Sequence, residues 1–134
     1  MQLRQWLSAA ALIALAAIPG FGQQPQLLTP DPMVLGPRQY LVIPFGGGHV
    51  YGKFFVTNPQ NDVQCMVLDD VGLINFKSNH EFKGYYFSGV VAAGEFNLKL
   101  SQGSPYYLIF SNLQSIRDAA TVVVKAQIYE DMKP

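Results

Sequence analysis

The sequence predicts an all-β domain, an antiparallel β-sandwich of about seven strands preceded by a cleaved signal peptide. Three observations lead there. The first 22 residues have the layout of a secretory leader. Beyond residue 38, short apolar or alternating runs recur between clusters of Gly, Pro, Asn and Asp, the rhythm of an all-β chain. With 134 residues, 49% hydrophobic and 13% charged, the chain has room for one domain with a real core and is not a disordered polymer.

In the leader, Arg4 supplies a basic start, residues 7–18 an apolar run, and Pro19-Gly20 a break. The run is too short for the roughly 20 residues of a bilayer-crossing helix, so cleavage rather than anchoring is expected. Gly20 and Gly22 place small residues where a peptidase reads them, with the cut after Gly22. An N-terminal lipid would need a cysteine there, and the single cysteine is Cys65. The processed chain is therefore expected in a periplasm or outside the cell, with no transmembrane segment and no internal disulfide. Cys65 lies in the apolar stretch 63–68, which favours a buried, inert thiol.

Residues 23–37, with Pro25, Pro30, Pro32 and Pro37, read as an extended lead-in or linker, and 38–134 as the sandwich domain. The first run is 39–45, where Pro44 cannot donate to a ladder and points to an edge strand or a strand end. Gly46-Gly47-Gly48 ends it. In the second run, 49–58, Val50, Phe54 and Val56 share one face, and Tyr51, Lys53 and Phe55 the other. Residues 58–62 are a strong turn signal before the third run, 63–69. Residues 73–78 fit either one helical turn or an irregular crossover. A fourth strand, 84–91, is turned by 92–94 into the cleanest alternation of the chain, with Phe96, Leu98 and Leu100 inward. The sixth run, 105–112, is apolar on both parities, as a central strand covered on both sides would be. The last, 120–130, turns Val122, Val124, Ala126 and Ile128 inward and closes the sheet. Turns every eight to twelve residues or so favour two packed sheets over one open sheet or a small barrel. The expected core is Phe54, Val56, Val67, Phe96, Leu98, Leu100, Leu108, Phe110, Val122, Val124 and Ile128.

The stretch Gly103–Asn112, a Tyr-rich strand ending in Asn, followed by the Val-rich Thr121–Tyr129, resembles the end of bacterial GOLD-type β-sandwich modules. Residues 50–54 and the 68–72 corner extend the likeness over roughly 38–130. The resemblance implies a non-catalytic interaction module and brings no catalytic residues. The paired cysteines and following coiled coil or span of eukaryotic members are missing, so it implies no trafficking role.

Nine basic residues against nine acidic ones leave no basic surface for nucleic acid. His49 and His80 have no second His or Cys at metal-ligand spacing and read as exposed loop histidines. A Gly-x-Ser-x-Gly elbow is missing, and Cys65 sits among apolar neighbours that disfavour its thiolate, so no enzyme, cofactor or metal site is expected. Asp69 and Asp70 lack the spacing of a calcium loop, and turn chemistry accounts for them. In Tyr85-Tyr86 and Tyr106-Tyr107, alternation sends one ring of each pair inward. Tyr51, Phe55 and Tyr129 lie on outer parities and form a candidate interaction surface. The expected function is an exported, non-enzymatic module that binds a protein or a cell surface. The alternative is a small-ligand or glycan-binding domain using end loops around His49, Asn61, Asp62 and His80.

Overall fold

The computed structural model describes residues 25–57, 62–113 and 121–131. The leader 1–22, its cut after Gly22, and Asn61 lie outside them. The described residues form nine strands and one helix: β1 (Gln26–Leu27), β2 (Met33–Leu35), β3 (Tyr40–Phe45), β4 (Gly48–Val56), β5 (Val63–Asp69), α1 (Asp70–Lys77), β6 (Tyr86–Val91), β7 (Ala93–Leu100), β8 (Tyr106–Ser111) and β9 (Val122–Asp131). They build two antiparallel sheets. Sheet 1 runs β1-β9-β4-β7, with β2 also paired to β9, and sheet 2 runs β3-β8-β5-β6.

With β1 and β2 counted as one interrupted strand, sheet 1 takes the first, eighth, third and sixth strands, and sheet 2 the second, seventh, fourth and fifth. That alternation between sheets is the double Greek key of a jelly roll. The main core lies between the sheets, where the inward parities of all the long strands converge, and Phe54 meets Phe110 edge to face at 5.4 Å. Of the expected core, Leu98 and Leu100 are only partly buried against it.

Three features depart from the sequence reading. Within the expected lead-in 23–37, the described residues from 25 on are tied into sheet 1: β1 and β2 pair with β9, and Met33 and Leu35 are core residues. Between these two short strands the Thr29 hydroxyl replaces the ladder, donating to Ala126 O at 3.0 Å and lying 3.5 Å from Ile128 N. The proline-rich spacing thus interrupts a strand without detaching it. β9 does not close its sheet but lies inside it, between β1/β2 and β4. The undecided stretch 73–78 belongs to α1, which begins at 70. Asp69 caps it by accepting from Gly72 N–H at 2.8 Å.

Pro44 does sit on an edge strand, β3, and β8 is covered on both faces. On β6, Gly89 at φ 72 forms a bulge that shifts the register against β5. Ser88 Oγ then accepts from Cys65 N–H at 2.8 Å. Cys65 is fully buried and makes no disulfide, and burial raises its thiol well above the ordinary range, as expected of an inert cysteine.

Candidate functional site

The outward faces of the two sheets are built differently. On sheet 2, Val42, Met66, Leu68 and Ile109 face away from the main core and are still buried. Leu73 and Phe76 of α1 and Phe82 of the following segment pack over them. Phe76 meets Tyr40 and Phe82 edge to face at 5.1 and 5.6 Å. Asp70 anchors the start of α1 to the sheet by accepting from the Tyr107 hydroxyl at 2.7 Å, a bond that raises the pKa of that phenol. Asp69, besides capping the helix, lies 3.4 Å from the Tyr85 hydroxyl. The Asp69/Asp70 corner therefore fastens a helix, and among the described residues no group of three or more His, Cys, Asp or Glu is placed to hold a metal.

No described element packs over the outward face of sheet 1. Its side chains form rows across three strands, and register places Tyr51 between Asn97 and Tyr129, Lys53 between Glu95 and Gln127, and Phe55 between Ala93 and Lys125. The Tyr51 and Tyr129 rings stack at 5.8 Å with 28° between planes, and His49 meets Tyr51 at 4.6 Å. His49 Nε2 lies 2.6 Å from Asn97 Oδ1. A cleft of about 430 Å³ crosses the strands, walled by the Tyr129–Tyr51–Asn97 row on one side and the Gln127–Lys53–Glu95 row on the other, with Gly52 and Phe96 between them. A smaller one, about 290 Å³, shares Lys53 and Gln127 and continues to Phe55, Lys125 and Asp31.

Gly52 makes the first cleft possible. Its φ of +154° lets β4 approach β9 so closely that an added Cβ would lie 2.0 Å from Gln127 O. The next row inward contains Glu130, on the buried parity of β9. Its Oε2 accepts from Gly46 N–H at 2.8 Å and holds the glycine turn before β4. Burial raises the carboxyl's pKa, and the Gly46 bond partly opposes that rise.

Of the residues singled out from sequence, Tyr51 and Tyr129 are brought together, while Phe55 stands one row beyond Lys53 and is 48% exposed. Of the loop set, the described members His49, Asp62 and His80 lie on or beside separate elements. His49 lies at the start of β4, Asp62 precedes β5 beyond the other end of β4, and His80 follows α1 with its N–H bonded to Asn75 O. Asn97, Lys53, Glu95 and Gln127 carry no signal in the sequence, because each is an ordinary outward residue of an alternating strand. Only the order β9-β4-β7 shows that they adjoin the tyrosines.

No protein-family model matches the chain, and no curated protein matches it significantly. Among solved structures, a mitogen derived from Yersinia pseudotuberculosis matches over 82% of this chain and 92% of its own, at 13% identity and a TM-score of 0.48. Neither figure is high enough to transfer a function.

Proposed function

We propose that this is an exported, non-enzymatic binding module whose working surface is the open outward face of sheet 1. The observation that carries the reading is the contrast in cover. A helix and the segment after it cover Val42, Met66, Leu68 and Ile109 on the outer face of sheet 2, whereas no described element covers sheet 1, where Phe55 is exposed and Tyr51 and Tyr129 are half-buried among polar side chains. Aromatic rings left uncovered on a rigid sheet suit contact with a partner in the surroundings. The leader-like residues 1–22 support export, and the GOLD-type resemblance of 103–129 supports a module that binds without catalysing. Burial of Cys65, the one thiol, supports the absence of nucleophilic chemistry. Among the described residues no helix is long and apolar enough to cross a membrane.

The test is capture of partners from the native host with the purified protein and with Tyr51→Lys and Phe55→Lys variants. Loss of the captured partner with unchanged circular dichroism supports the reading, and undiminished capture by both variants overturns it. Mass spectrometry of the protein from its host should show Gln23 as the first residue, and an intact Met1 would refute export by cleavage.

A further inference from the structure

We infer that the larger cleft on sheet 1 is a sugar-binding site, taking one pyranose unit of a linear glycan against Tyr51 and Tyr129. This rests on the open face being the working surface and names its ligand class. A pyranose chair has a face of C–H bonds and a rim of hydroxyls. Its C–H face is attracted to the electron-rich face of an aromatic ring, and its hydroxyls each donate and accept hydrogen bonds. The cleft offers both halves of that recognition on opposite walls, with tyrosine rings on one and Gln127, Lys53 and Glu95 on the other. Lys53 donates only, Glu95 as a carboxylate accepts only, and Gln127 does both. None of these three side chains is bonded to another described residue, so their hydrogen-bonding capacity is free for a ligand.

Other occupants fit the same walls less well. Rows two residues apart on a strand are separated by roughly 7 Å, the room for one ring standing on edge, whereas an α-helix is about 10 Å across. The core of a protein interface is depleted of charge, but the middle of this face is Lys53 beside Glu95. That same pairing cancels the field that a phosphate or nucleic-acid backbone would need. The second cleft shares Lys53 and Gln127 and leads to Phe55, which gives a neighbouring sugar unit a continuous course and favours a chain over a monosaccharide.

Isothermal titration of the purified protein with cellohexaose, xylohexaose, maltohexaose and chitohexaose, followed by a printed glycan array, tests the inference. At least one oligosaccharide should bind. Tyr51→Ala and Tyr129→Ala should each weaken it at least tenfold, while Tyr51→Phe, which keeps the ring and controls for folding, stays within about threefold of the parent. Absence of binding to every probe and array glycan overturns the sugar assignment. If Tyr51→Lys at the same time abolishes capture of a protein partner, the open-face reading stands without it. A glycan that binds with equal strength to the parent and both alanine variants places the sugar elsewhere and removes this site.

Discussion

Two outer faces of one sandwich end up with opposite fates. In sheet 2, β5 and β8 are apolar on both parities, and the outward residues Met66, Leu68 and Ile109 are sealed beneath α1. In sheet 1, β4 and β9 alternate, and the outward residues Lys53, Lys125 and Gln127 are exposed. The hydrophobic effect acts on both faces alike. What differs is how much apolar area each face offers a covering element, and a strand with two apolar parities is stable only if something shields its second side. A sheet face that stays polar with a few rings has nothing to gain from a lid and is free to meet a ligand.

The sharpest way to break that contrast is to place the same charge on both faces. Ile109→Lys buries an ammonium under α1 with no partner and should cost several kcal/mol, enough to unfold a domain of this size. Gln127→Lys on the open face should move stability by less than about 0.5 kcal/mol. Urea unfolding followed by circular dichroism reads both, and equal midpoint shifts would erase the distinction.

The open face has one position that tolerates nothing larger. Gly52→Ala should destabilise by about 2–3 kcal/mol, because the new methyl meets backbone oxygen rather than a movable side chain. A thermal melt within a degree or two of the parent would mean that β4 and β9 are not held so closely. On the covered face, Asp69→Ala removes the helix cap and a tyrosine contact, for a loss of about 1 kcal/mol. Faster hydrogen exchange should then be confined to α1 and the segment after it. Protection lost equally in sheet 1 would show that the lid and the open face are a single unit.

The mildest expected effect is a pH dependence at the rim between the faces. The carboxyl pKa of Glu130 is raised in the folded protein, so its contribution to stability is full below the ordinary glutamate value and is lost as pH rises through the folded one. Glu130→Gln keeps an acceptor for Gly46 N–H and cannot ionise, so its melting temperature should gain on that of the parent between pH 4 and pH 7. Parallel curves would show that the carboxyl is solvated as it is in the unfolded chain.

The sequence made much of the scaffold readable, since inward positions such as Phe54, Leu108, Val124 and Ile128 follow directly from strict alternation. Short elements defeated the same reasoning. β1 and β2 are two and three residues long, too brief to show a period, and their place beside β9 depends on a partner about a hundred residues away. α1 is ambiguous in the sequence because only its apolar contacts with sheet 2 distinguish it from an irregular crossover. At the candidate site the rings Tyr51 and Tyr129 were identifiable from parity, but the polar wall was not. A cleft across three strands is a property of strand order, and strand order in a jelly roll follows no local signal.

The placement of β9 also governs when the protein can fold. β9, the last described strand in chain order, lies inside sheet 1, and Ile128 meets Thr29 across a separation of 99 residues. Until it emerges, β4 lacks one neighbour, and β1 and β2 have no neighbour at all. Slow, late closure follows from such long-range pairing. Sheet 1 is thus completed only after both ends of the domain have been synthesised, and sheet 2, whose strands all lie between them in the chain, can pair first.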